Sequence, residues 1–182
     1  MKLHTWIPIV TLACSAPALS QDASAPASVH AEIVSRDGVI GEVVLTDGPT
    51  GVLLRLSVTG LTPGWHAMHF HAVSDCSDKG FQKSGAHINH VDDRKSHGLL
   101  NPAGPDFGDL PNIFATKDGS ANAEAFSALV KLGSGSERAN LLDADGSALV
   151  IHANVDDHST QPIGGAGARV ACAGVGVRQS RQ

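Results

Sequence analysis

The stretch "GWHAMHFHAVSDC", residues 64–76, holds three histidines and a cysteine in a chain with no tyrosine, five phenylalanines and two tryptophans. In an extended strand, residues two apart point to one face. His69 and His71 therefore project together and could grip one ion, while Met68 and Phe70 face a core, as does His66 if no bulge intervenes. A lone His-x-His pair says little. Here His87, His90 and His97 follow, with Asp92, Asp93, Asp106 and Asp109 beside them, and His152 ends the run "SALVIH". Nitrogen-rich, planar-leaning coordination favours copper, and a tetrahedral mix of imidazole and carboxylate favours zinc. The chain supplies enough ligands for one of each.

Such ligands need a scaffold. Runs of β type, "VHAEIVS", "GVIGEVVLT", "GVLLRLSVTG" and "WHAMHFHA", are separated by turn signals such as Asp37-Gly38 and Asp47-Gly48. In the third run Val52, Leu54, Leu56 and Val58 alternate with Arg55, Ser57 and Thr59, the pattern of a half-buried strand. Segments 113–117, 121–131, 147–153 and 168–177 add four more; 121–131 could also form a helical turn or two, and strand is preferred. Eight short strands without helical periodicity predict an all-β antiparallel Greek-key barrel or sandwich, immunoglobulin-like in architecture. Residues 72–111 and 154–167 lack strand patterning and read as long functional loops.

Residues 1–20 combine Lys2, an apolar run from Trp6 to Ala13 and a small-x-small site at Ala18-Leu19-Ser20, as an export signal does. Residues 21–28 read as a flexible leader, and 29–182 as one domain. The apolar run is too short to span a bilayer, which needs ~20 residues. Lipid attachment at Cys14 is the alternative, although no aliphatic residue stands three positions before it. The whole chain carries 13 basic and 18 acidic residues; removing Lys2 leaves 12 − 18 = −6. That balance, with no basic run, offers nothing to a nucleic-acid backbone. Beyond Cys14 only Cys76 and Cys172 remain, an even pair suited to a disulfide in an oxidising compartment, here the periplasm. Closing a loop of nearly a hundred residues would stabilise by about 4–5 kcal/mol in the chain-entropy model.

In order and spacing, "GLTPGWHAMHFHAVSDC", "SGAHIN", "GDLPNI", "ALVIHANVDD" and "GGAGARVAC" resemble the signatures of the copper/zinc superoxide dismutases, specifically the exported bacterial branch, from about Ala31 to Val177. The resemblance implies copper on His69, His71, His87 and His152, with His87 bridging to zinc. His97 and Asp109 would form part of the zinc shell. Asp156 would link a copper histidine to a zinc histidine, Arg169 would stand beside copper, and Cys76–Cys172 would pin the metal loop. His66 would be a buried structural residue. One position departs: a histidine usually lies three residues before the zinc aspartate, and "GPDFGD" has Asp106 there. Asp106 could ligate directly, with His90 or a water as substitutes.

The implied activity is dismutation of superoxide to oxygen and hydrogen peroxide, with copper alternating between Cu(II) and Cu(I). His87 would take up and return a proton, and Arg169 would offer the anion a forked positive donor. An acidic chain attracting an anion needs local positive charge. "ANVDDHSTQPIGGAGA" has no lysine, so Arg169 must carry most of the attraction, helped by Lys83, Arg94 or Lys95. Two rivals stand: a non-enzymatic periplasmic copper-binding or storage protein, and a zinc-poor copper dismutase motivated by Asp106. His30, His158 and Lys79 are expected on the solvated surface. Oligomeric state stays open, with a homodimer among the outcomes the resemblance allows.

Overall fold

The computed structural model describes residues 27–92, 94–134 and 137–176; the expected export signal, Cys14 and most of the expected leader lie outside them. Seven strands make one antiparallel sheet: β5 (Met68–His71), β10 (Ser147–His152), β11 (Arg169–Val175), β1 (Ser28–Ser35), β2 (Gly38–Gly48), β3 (Gly51–Val58) and β7 (Ala121–Ser127), in that spatial order. After the meander β1–β2–β3 the chain returns to lay β11 beside β1, a Greek-key ordering. The Asp37-Gly38 signal marks the β1–β2 turn, where Gly38 has φ 132°. Burial in β3 alternates as the sequence predicts, with Arg55 and Ser57 exposed between buried Leu54, Leu56 and Val58.

One apolar cluster fills the interior, joining Ile33, Val43, Leu45, Leu54, Met68, Phe70, Leu149 and Ile151 from β1, β2, β3, β5 and β10. Burying each such side chain contributes roughly 1.5–3 kcal/mol. Met68 and Phe70 thus hold β5 to the core while His69 and His71 take the other face.

The architecture differs from eight simple strands in three places. "WHAMHFHA" breaks at Ala67 into β4 (Gly64–His66) and β5; β4 pairs with β6 (Ile113–Ala115) in a separate two-stranded sheet. The break occurs because Ala67 donates its amide to the carbonyl of Asn154 and takes the amide of His152 on its own carbonyl. Trp65 and Phe114 meet edge to face across this small sheet, ring centroids 5.2 Å apart, and both are more than half exposed. Segment 121–131 is strand only to Ser127. After a bend, β8 (Val130–Lys131) pairs in parallel with β9 (Ala139–Asn140), which no sequence pattern announced.

Candidate metal centre

β5 and β10 lie side by side, Val150 opposite His69 and Ala148 opposite His71, so the β5 histidines and His152 at the end of β10 open on one region. The first long loop returns to that region through isolated bridges between His71 and His87 and between His69 and Asp109. Ligand atoms of His69, His71, His87 and His152 come within 4.8 Å of one another. Donors on opposite sides of an ion with bonds of about 2.0–2.1 Å are about 4 Å apart, so the spacing suits one ion.

In each ring one nitrogen is committed and the other bare. His69 Nε2 donates to Asp156 Oδ2 (2.8 Å), His71 Nδ1 to the carbonyl of Gly85 (2.9 Å), and His152 Nδ1 to the carbonyl of Gly167 (3.1 Å). His87 Nδ1 faces Asp106 Oδ2 at 3.2 Å. The remaining nitrogens, His69 Nδ1, His71 Nε2, His87 Nε2 and His152 Nε2, are buried without a hydrogen-bond partner. Four orphaned imidazole nitrogens in one place are what a copper ion would satisfy. Burial also keeps three of these rings neutral, moving His69 to about 4, His71 to about 2 and His152 to about 3, with their lone pairs ready to coordinate.

A second set, His69, His87, His97 and Asp109, also brings ligand atoms within 4.8 Å. Asp109 Oδ2 is fixed by the amides of Gly98 (2.7 Å) and Asp106 (2.9 Å), while Oδ1 has no hydrogen bond and sits 2.5 Å from His97 Nδ1. Both atoms are buried and close together yet form no well-aligned hydrogen bond, as two ligands of one ion would be placed. Asp106 is not among the four. Its Oδ1 accepts the amide of Gly108 (2.9 Å), leaving Oδ2 against His87 Nδ1. That 3.2 Å separation matches the roughly 3.3 Å edge of a zinc tetrahedron with bonds of about 2.0–2.1 Å. This donor set fits zinc.

Asp156 ties the two sets together. It accepts His69 Nε2 through Oδ2 and His97 Nε2 through Oδ1 (3.1 Å), fixing the orientation of both rings. Burial works against a charged Asp156, but the hydrogen bonds from His69 and His97 outweigh it and hold the carboxyl far below its ordinary range. The "GGAGA" run serves this carboxylate: a β-carbon on Gly164 would collide with Asp156 Oδ1.

Arg169 opens β11 directly opposite His152, and its charge acts on both His152 and His71. Its Nη1 donates to the carbonyl of Phe81 (2.7 Å) and to Ser84 Oγ (3.0 Å), which anchors the guanidinium over the copper side. Cys76 and Cys172 form a disulfide with Cα atoms 5.8 Å apart, joining the start of the first long loop to β11. His66 is buried, its Nδ1 2.6 Å from the carbonyl of His152 and its Nε2 2.7 Å from that of Thr62, so it belongs to the framework.

His158 is not the solvated residue the sequence suggests. Its side chain is only 18 % exposed, with Nδ1 3.5 Å from Asp156 Oδ2. Its amide donates to Asp156 Oδ1 (2.6 Å), and Asn112 Nδ2 donates to its Nε2 (3.0 Å). The residue adopts φ 61° in the turn that wraps Asp156, and no local sequence pattern signals that conformation. His90 stacks on Phe107 at 3.8 Å and joins neither ligand set, so it does not stand in for Asp106. Lys83 Nζ donates to Ser77 Oγ (3.1 Å), on the same loop that carries the anchor of Arg169. His30 is exposed as expected.

A Greek-key antiparallel β fold carrying two adjoining sites, one of imidazoles and one of imidazole with carboxylate, defines a two-metal β-barrel protein. The family model for copper/zinc superoxide dismutase matches residues 39–175. The chain belongs to that family, whose members are oxidoreductases with copper and zinc as cofactors. It is 57% identical over 146 residues to a Cu-Zn superoxide dismutase of Caulobacter vibrioides, covering 80% of this chain and 83% of that one. A second relative, from Aquifex aeolicus, is 38% identical over 174 residues and spans 94% of this chain and 98% of its own. Among solved structures, a superoxide dismutase-like protein from Bacillus subtilis superposes with TM-score 0.75 at 33% identity, covering 80% of this chain and 97% of that one.

Proposed function

We propose that the protein dismutes superoxide to oxygen and hydrogen peroxide at the four-histidine site. The observation that carries this reading is the set of four buried, unpartnered imidazole nitrogens facing one point beside an anchored guanidinium. Copper bound there would supply the one-electron exchange that dismutation requires. His69, His71, His87 and His152 would hold that ion, and His87, His97, Asp106 and Asp109 the zinc. Arg169 draws in and orients the anion with the part of its fork that Phe81 and Ser84 leave free. His87 is the ring placed to pass a proton at Nε2, since its Nδ1 is committed on the Asp106 side.

Elemental analysis of the purified protein alongside a superoxide-decay assay tests the reading. Copper and zinc are expected near one each per chain, with activity abolished by a copper chelator. Fully metallated protein that leaves superoxide decay unchanged would favour the storage reading instead.

If Asp106 and Asp109 both held zinc beside a deprotonated His87, three negative charges would face a divalent ion in a buried site. Asp106→His is therefore expected to slow zinc loss to a chelator under mildly acidic conditions. Wild-type zinc held as firmly as the variant's would remove Asp106 from the zinc shell.

Export to the periplasm is supported by the disulfide and by the bacterial relatives, and residues 1–20 would be the signal. Among the described residues no helix is long and apolar enough to cross a membrane. Residues 29–182 would then act as the enzyme domain, with a homodimer as an assembly to be tested by sedimentation.

A further inference from the structure

We infer that Gln161 is a positioning residue for the zinc side, its side-chain amide clamping both backbone polar groups of His97. The inference rests on the assignment of His97 to zinc. Gln161 Oε1 accepts the amide N–H of His97 at 3.1 Å, and Gln161 Nε2 donates to the carbonyl of the same residue at 2.8 Å. One side chain thus gives His97 the paired contact that a neighbouring strand would give, from 64 residues away. Nε2 also donates to the carbonyl of Ser159 (3.1 Å), which fixes the sense of the amide, since a flipped group would set oxygen against two carbonyls.

His97 needs such a clamp because its stretch of the first long loop belongs to no strand. The two long loops meet here. Leu100 donates its amide to the carbonyl of His158 (3.0 Å), and Asn101 Nδ2 reaches the carbonyls of His97 (3.1 Å) and Ser159 (3.3 Å). Gly98, with φ 119°, lies so close to His158 that a β-carbon would collide with that carbonyl. The second loop therefore sets His97 twice, the ring through Asp156 and the backbone through Gln161. Gln161 itself is exposed and uncharged, so replacing it removes neither core packing nor attraction for the substrate anion.

The test compares the full metal-loaded protein with Gln161→Ala, which removes both bonds, and Gln161→Glu, which keeps the acceptor and loses the donor. Zinc transfer to a colorimetric chelator is timed at neutral pH, and cobalt(II) in the zinc site reports ligand geometry through its visible absorption. Both variants are expected to lose zinc about tenfold faster, the range of other supporting contacts around metal ligands, with altered cobalt bands and copper retained. Zinc loss within about twofold of wild type in both variants overturns the inference. So does a metal-free melting midpoint that falls as far as that of the loaded protein, which would make Gln161 a general fold contact. A wild type that takes up no zinc instead overturns the zinc assignment, and the inference with it.

Discussion

Arg169→Glu is expected to lower the bimolecular rate constant for superoxide by about tenfold to a hundredfold and to flatten or invert its dependence on ionic strength. The chain is acidic, and the second long loop, 154–167, has no lysine or arginine. Arg169 stands opposite His152 with its Nη1 fixed by Phe81 and Ser84, so its position does not depend on substrate. Salt screens exposed charges over about 8–10 Å, so a rate that rests on this cation should fall as salt rises, and reversing the charge should remove that fall. Arg169→Lys keeps the charge and loses the fork. It should keep most of the salt dependence while binding small competing anions more weakly. A rate and salt slope unchanged in Arg169→Glu would take the residue out of the mechanism.

The metal-free protein is expected to be most stable near neutrality and to lose stability steeply as pH falls below about 6.5. Burial holds His69, His71 and His152 at about 4, 2 and 3, whereas the unfolded chain takes up these protons near 6.5. Below that value the unfolded state binds more protons, so acid favours unfolding. Each unit of displacement is worth about 1.4 kcal/mol, and three such rings rival the roughly 5–15 kcal/mol that holds a domain folded. Asp109 and Asp156 add to the loss further down, because their hydrogen bonds outweigh burial and depress both carboxyls.

His97 acts in the opposite sense. Burial disfavours its charge, but Asp109 and Asp156 prevail and raise it to about 10. Its contribution is complete below about 6.5 and disappears as pH climbs toward about 10. Melting midpoints of metal-free and copper-loaded protein across this range check the prediction. Copper would keep the same rings deprotonated, so the loaded form should melt higher with an acid slope at least as steep, and a flat metal-free profile between about pH 6.5 and 4 would refute the prediction.

Much of this was legible in the chain because it is local. The two-residue period that puts His69 and His71 together also puts Met68 and Phe70 in the core, and one alternation reads both. Turn residues and β-branched runs mark the strands of the main sheet. The site's ligand positions followed from family resemblance, since nothing local says that His152 meets His69. What escaped depends on contacts between distant segments. The break at Ala67 arises from bonds to Asn154 and His152, the β8–β9 pair has only two residues per strand, and His158 turns inward because a wrapped carboxylate lies beside it. Gln161 looks like an ordinary loop residue until the other loop is laid against it.

The small β4–β6 sheet has an optical consequence. The chain holds two tryptophans, Trp6 and Trp65, so a protein cleaved after Ser20 would emit from one indole alone. That indole is exposed, stands edge-on to Phe114, and is followed by His66, whose ring contacts the backbone of His152. With no tyrosine anywhere in the sequence to contribute background, fluorescence from this single reporter would read the framework behind the copper ligands without any label.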